Sequence, residues 1–335
     1  MFRDMNRIYK KITLALCLSL LGLFSSCIYE DEVDCPCEVR FVYDYNMEFA
    51  DAFPSQVDDV MLFIFDTDGR FVSSLQDSGP HLNADYRMSL QLAPGHYHLV
   101  AWAGLLTAPG CYDLSSGLQR GTSTEDDLLL RLRTKDNAYN QCLTDLWYGQ
   151  LADFEVKADA PSYATIPLVK DAKRFRVLLQ DTEGNALSKD DYSFAITTAN
   201  RILDHDNEPC ECEPLSYQPY TLTEATISND DTPTRATDLH ALVAEMGTLR
   251  LTDDVPARFT VRNERKQQNL FDVDLLKYLN LLKLDAYADM SLQEYLDRES
   301  SYQIILIMGH NDAGQEVMLS LQINAWTIVF NQTEL

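Results

Sequence analysis

Few residues in this chain stand in a pattern that could do chemistry, and Cys27 is the foremost. Arg3, Arg7, Lys10 and Lys11 precede an apolar run from Ile12 to Phe24 that ends in Ser25-Ser26-Cys27. The run is about 13 residues, short of the roughly 20 a bilayer-spanning helix needs. It therefore reads as the apolar core of a cleaved leader. Small residues before Cys27, and the polar turn after it (Tyr29, Glu30, Asp31, Glu32, Asp34), fit a bacterial lipoprotein signal. Cleavage is expected between Ser26 and Cys27, with acylation of the Cys27 thiol. Residues 1–26 then leave, and residues 27–37 become an acylated tether. The alternative is an ordinary leader cut nearby, which releases a soluble protein. Stable anchoring by lipid generally takes more than one chain, at about 0.8 kcal/mol per buried methylene.

Of the eight Cys, Cys17 leaves with the leader and Cys27 takes the lipid. Six remain. Cys111 with Cys142 is the expected disulfide, because both lie in loop-like sequence of one domain. The pairs Cys35/Cys37 and Cys210/Cys212 are disulfide partners or free thiols. Cys-x-Cys is not the Cys-x-x-Cys knuckle that zinc sites use, so no metal is expected. His96 and His98 stand two apart on one strand and would share a face, but no third ligand accompanies them. Asp66-Thr67-Asp68-Gly69 resembles the start of a calcium loop without its bidentate Glu, so it reads as a turn. No Gly-rich phosphate loop, Gly-x-Ser-x-Gly elbow or His-Glu-x-x-His occurs. No catalytic residue, cofactor or small-molecule substrate is expected, and the chain does not read as an enzyme.

The chain has 335 residues and a net charge of −25. The leader carries four basic residues and one acidic, so the remainder is more acidic still. Such a chain lacks the basic patch that neutralises phosphates and will not seek nucleic acid. It would also be repelled by anionic lipid, so lipid on Cys27 must do the holding. Apolar residues make up 46%, with 17 Tyr and 14 Phe, enough for real cores.

The elements that would position these residues are mostly short strands. Val39–Tyr45 alternates with period two, while Val60–Phe65 is continuously apolar. Asp and Gly punctuate three similar turns, at Asp66–Gly69, Asp181–Asn185 and Asn311–Gly314, each read as a hairpin. Further strands are expected at 86–92, 96–103, 128–132, 147–156 and 165–168. In the second half they are expected at 174–180, 192–198, 248–251, 257–262, 302–308 and 316–330. Residues 200–237, with Pro209, Pro214, Pro219 and Pro233, read as loop. Helix is expected at 274–284, and from a capping box at Ser291-Leu292-Gln293-Glu294 through Arg298. The length suits two domains, with the boundary near Lys170-Asp171. The expected fold is all-β, two tandem β-sandwiches at residues 38–170 and 171–335 with minor helical insertions.

An ordered set of motifs resembles the FimB-type anchoring subunits of Bacteroidota type V fimbriae. It begins with the lipoprotein signal, Cys35-Pro36-Cys37 and the strand from Val39. Next come Val57-Asp58-Asp59-Val60, Phe63-Ile64-Phe65-Asp66-Thr67-Asp68-Gly69, and Pro94-Gly95 before His98-Leu99-Val100-Ala101-Trp102. Leu146-Trp147-Tyr148-Gly149, Phe271-Asp272-Val273-Asp274 and the terminal Ile323-Asn324-Ala325-Trp326-Thr327-Ile328-Val329 complete it. The resemblance implies two transthyretin-like sandwiches and a non-enzymatic subunit that tethers a fimbrial shaft pilin to the outer membrane. The acidic stretch after Cys27 resembles the export tag of surface lipoproteins, which implies a lipid-anchored, surface-exposed location. In the shaft subunits of such fimbriae, cleavage after an Arg removes the first strand; an anchor is implied to keep it. Arg40 lies within that strand, so shaft or tip subunit stays an alternative. A surface glycan-binding lipoprotein and a soluble secreted hydrolase are the others. Trp326, Ile328 and Phe330, on the last strand, are the candidate contact with the shaft by strand addition.

Overall fold

The computed structural model describes residues 35–106, 110–115, 117–227, 239–282, 287–323 and 326–329. Ser26, Cys27 and Phe330 lie outside them. The chain is mostly β. Its first half carries β1 (Cys37–Val42), β2 (Asp59–Asp66), β3 (Phe71–Ser78), β4 (Met88–Ser89), β5 (Gly95–Ala103), β6 (Tyr112–Leu114), β7 (Leu130–Leu132), β8 (Ala138–Tyr139), β9 (Trp147–Val156), β10 (Ser162–Pro167) and β11 (Val169–Lys170). Its second half carries β12 (Lys173–Asp181), β13 (Tyr192–Thr198), β14 (Ile202–Leu203), β15 (Leu215–Tyr217), β16 (Thr221–Ile227), β17 (Leu239–Thr248), β18 (Ala257–Asn263), β19 (Gln268–Asp274), β20 (Ser301–His310), β21 (Glu316–Ile323) and β22 (Trp326–Val329). The described helices are α1 (Phe53–Gln56), α2 (Leu275–Leu282) and α3 (Leu292–Arg298), beside one 3-10 turn at Glu125–Asp127.

A three-stranded sheet, β10-β1-β4, faces a five-stranded one, β11-β9-β5-β2-β3. Between them lie Val39, Phe41, Val60, Leu62, Ile64, Leu99, Ala101 and Ile166. The other residues of the same strands, Phe63, Phe65, Val100 and Trp102, belong to a second core. The five-stranded sheet is thus buried on both faces, which is why β2 is continuously apolar rather than alternating.

Its second face packs under a small sheet, β14-β7-β6, through Leu128, Leu130, Leu132 and Leu203. That core runs on without a break into the second half. There, β16-β17-β12-β20-β21-β22 and β19-β18-β13-β15-β8 form the two large sheets. Phe175, Val177, Leu179, Ile304 and Leu306 meet Phe194, Ile196, Phe259 and Val261 in the same cluster. Strand pairing also crosses residue 170 twice. β14 joins β7, and β8 joins β15 in parallel.

Several expectations meet corrections. The turn at Asp181 is not a hairpin, because β13 leaves for the opposite sheet while β12 is flanked by β17 and β20. Its local chemistry still matches the two true hairpins: Asp66, Asp181 and Asn311 each accept a backbone N–H two residues on. Gly69, Gly184 and Gly314 follow with φ near +70°, which is why the three motifs read alike. Residues 200–237 are not mere loop, since β14, β15 and β16 lie there, and the long β17 follows where only 248–251 was expected. Their prolines fall between strands, at positions 209, 214 and 219. The stretch from 316 divides into β21 and β22. Half of the capping box forms in α3, where Ser291 Oγ accepts from the Glu294 amide at 3.0 Å, while the Glu294 carboxylate accepts from Arg298 at 2.9 Å.

Phe41 is 1% exposed and stacks on Phe53, with ring centroids 6.0 Å apart. Phe41→Ala should lower the stability measured by urea unfolding by about 3–5 kcal/mol. A loss under about 1 kcal/mol would contradict a close-packed position for β1.

Candidate functional site

The candidate site is the set of contacts that hold the first strand, join the halves and present the last strand. β1 is the middle strand of its sheet. It runs parallel to β10 from Cys37↔Ser162 to Val42↔Pro167, and antiparallel to β4 at Glu38↔Ser89 and Val39↔Met88. Val39, Phe41 and Tyr43 are buried on its inner face. Arg40 points outward and pairs with Asp51 at 3.2 Å, a partly exposed contact worth little by itself.

Asp51 does more through its backbone contacts. Its Oδ1 accepts the amides of Tyr43 and Phe53, each at 3.1 Å. Asn46 closes the loop by donating to the carbonyls of Tyr43 (2.9 Å) and Ala50 (2.8 Å). The second half then grips this loop. The Arg298 guanidinium lies 3.9 Å from the Tyr45 ring centroid and 4.8 Å from that of Phe49. It also donates to the Asn46 carbonyl at 3.4 Å and to Glu294 at 2.9 Å.

Beneath it lies a buried charged junction. Lys173 is 0% exposed, and its Nζ donates to the carbonyls of Asp297 (3.2 Å) and Glu299 (2.9 Å) where α3 ends. A helix C-terminus carries partial negative charge, which suits an ammonium. Arg250 forks onto the Asp297 carboxylate at 3.0 and 3.2 Å and reaches Glu208 at 3.1 Å. Asp171, 0% exposed, accepts from Asn207 Nδ2 at 3.0 Å, while its Oδ2 has no partner. Burial pushes the Asp171 carboxyl up to about 7, against the opposing pull of Arg250. Burial likewise pushes the Lys173 amine down to about 8, against Asp297.

A second bridge uses histidines. The register with β9 slips between Tyr97 and Leu99, with the extra residue on β9, while β5 stays in regular register with β2. His96 meets Asp153 at 2.7 Å on the surface, while His98 reaches Glu125 at 3.1 Å and Gln150 at 2.9 Å. His205, from the second half, approaches the same Glu125 at 3.3 Å, and Tyr148 donates to the His205 carbonyl at 2.7 Å. Among the described residues one group, Asp181, Glu183 and His310, has ligand atoms mutually within 4.8 Å. Its Asp181 is already satisfied by the Glu183 amide at 2.7 Å and Asn185 at 3.0 Å.

Among the described residues β22 pairs with β21 alone, from Ser320↔Val329 to Ile323↔Trp326, and is the outer strand of the six-stranded sheet. Trp326 and Ile328 lie on it, two apart. Cys111 and Cys142 come together, with Cys111 Sγ 3.5 Å from the Cys142 carbonyl, and both are free thiols here. Cys37 opens β1, far along the chain from Cys210 and Cys212 in the loop after β14. Sequence reading missed Lys173, Arg250, Asp297, Arg298 and His205. One signal was present for Lys173: it shares the inward parity of Phe175, Val177 and Leu179.

A family profile for fimbrillin-A associated anchor proteins Mfa1 and Mfa2 matches residues 31–332. The chain belongs to that family. The FimB-type resemblance therefore holds at family level. Solved structures agree. A candidate adhesin from Bacteroides thetaiotaomicron is 31% identical, with a TM-score of 0.77 over 89% of this chain and 99% of that one. A candidate polysaccharide-binding protein from the same organism is also 31% identical, with a TM-score of 0.75 over 90% and 100%. The fimbrial anchor protein Mfa2 from Porphyromonas gingivalis shares the fold at 19% identity, with a TM-score of 0.67 over 88% and 98%. No curated protein sequence matches the chain. The family associates with fimbriae at the cell surface. Among the described residues no helix is long and apolar enough to cross a membrane.

The junction has a pH signature. A free Asp loses its proton near pH 4, whereas folded Asp171 keeps it to about 7. Between those values the folded state holds a proton the unfolded state has released, so this group lowers stability as pH rises and adds no further loss above 7. Asp171→Asn removes that slope. In urea unfolding from pH 4 to 7, the variant should gain steadily on the wild type, by on the order of 4 kcal/mol over the range. A difference that stays constant with pH would contradict a buried, neutral Asp171.

Proposed function

We propose that this chain is the non-enzymatic base subunit of a fimbrium, lipid-anchored through Cys27 at the outer membrane and holding a shaft pilin by strand addition at β22. The observation that carries the reading is the contrast between first and last strands. β1 is hydrogen-bonded on both sides and supplies Val39 and Phe41 to a core. Among the described residues, β22 is bonded on one side. A strand with one free backbone edge is a template for another chain.

Residues 38–170 and 171–335 act in this reading as two transthyretin-like sandwiches joined into one load-bearing body. A shaft or tip subunit that sheds its first strand would have to open the core around Phe53 and Ile166. Arg40 sits inside a paired strand, with its backbone committed to the ladder opposite Thr165, so a protease meets no extended free segment there. The glycan-binding alternative has little support on the described surface. Trp102 and Trp147 are buried, and the large exposed aromatics are Phe49 and Tyr163.

Removing residues 326–335 should leave the protein in the outer-membrane fraction and release most of the shaft pilin into the medium. Cys27→Ala should instead release both together. Shaft pilin that stays cell-bound in the first strain, or anchor that stays in the membrane in the second, would overturn the corresponding half of the reading.

A further inference from the structure

Cys111 and Cys142 lie in the long insert between β5 and β9, which is also the segment that ties the halves together. One contact independent of the thiols joins the two segments: the Tyr112 hydroxyl donates to the Thr144 carbonyl at 2.7 Å. The Arg133 amide donates to the Cys111 carbonyl at 2.8 Å and so fixes the Cys111 side against the end of β7. Cys111 Sγ already reaches the Cys142 carbonyl at 3.5 Å. Cys142 is exposed and Cys111 half-buried, so an attacking oxidant has access to the first thiol and the second lies beside it. The leader expected at residues 1–26 would direct the chain out of the cytoplasm, to where disulfides persist.

We propose that Cys111 and Cys142 form a structural disulfide in the exported protein. The Cys142 thiolate attacks the disulfide of an envelope thiol–disulfide oxidoreductase, forming a mixed disulfide and expelling one of its thiolates. The Cys111 thiolate then attacks the Cys142 sulfur and expels the second. Two thiols give up two protons and two electrons, and the oxidoreductase leaves as a dithiol.

The bond closes a loop that contains β6, β7 and β8. β7 pairs with β14 and β8 pairs with β15, so the closed loop is the one whose strands cross to the second half. A disulfide restricts the unfolded chain most where the loop it closes is long. Under tension between the membrane and the far sheet, this one would keep the bridging segment from being drawn out as slack. The inference rests on export and on this geometry, not on the fimbrial role.

The test is peptide mapping of protein taken from the bacterial outer membrane, with free thiols alkylated at harvest and no reductant. The expected result is one linked pair carrying Cys111 and Cys142, lighter by two hydrogens than the separate peptides. Alkylation of both residues, or linkage of either to Cys210 or Cys212, would overturn the proposal. As a second measurement, reductant should lower the melting midpoint of the wild type by about 5–10 °C. The Cys111→Ser/Cys142→Ser protein should melt at that lower point and ignore reductant. A wild type indifferent to reductant would overturn the stabilising role.

Discussion

The structure depends on the insertion of β1 between β10 and β4. That strand is the first described element of the chain, so in the proposed anchor a hold on residue 27 would pull on it. Its backbone is paired on both sides and its inner residues fill a core. The pairing with β10 is parallel and extends over six residues. Pulling β1 along its own axis therefore loads all of those hydrogen bonds together instead of one after another. Each bond contributes little net energy in water, about 1 kcal/mol. Their simultaneous loading, with Val39, Phe41 and Tyr43 behind them, would suit the strand to the proposed anchoring role.

In the proposed anchor, load would then pass to the second half by several routes. Arg298 clamps the loop after β1 against Tyr45 and Phe49. Strands are exchanged across residue 170 in both directions. The charged junction lies between, with Lys173, Arg250 and Asp297 buried and mutually satisfied. Burying such groups is costly, and a hydrophobic substitute would often be at least as stable. Directional hydrogen bonds, however, allow one alignment of β12, α3 and the Asn207 loop and penalise others. A continuous apolar core beside them supplies the stability and leaves the junction to set the geometry.

Much of the fold was legible in the sequence because period-two patterning and Asp–Gly turns are local signals. β9 and β13 begin and end where the pattern places them, and the Ser291 cap marks α3. What local signals could not show was partnership. The turn at Asp181 looks like its two hairpin relatives because the same side-chain-to-backbone bonds build all three, yet only tertiary pairing decides where the next strand goes. β17 was hidden by the prolines before it. The boundary drawn at Lys170-Asp171 falls on a bonded stretch, since a polar pair between two strands looks like a linker until its partners arrive from residues 56, 145 and 207. The candidate site was legible at its ends, in the leader and the last strand, and not in its middle.

The account's central claim is that the first strand stays in place in the working protein. Intact-mass and N-terminal peptide analysis of the protein recovered from assembled fimbriae tests it most directly. The account predicts a mature chain that starts at acylated Cys27 and retains the peptide spanning Arg40. A chain that starts at Phe41 would contradict it.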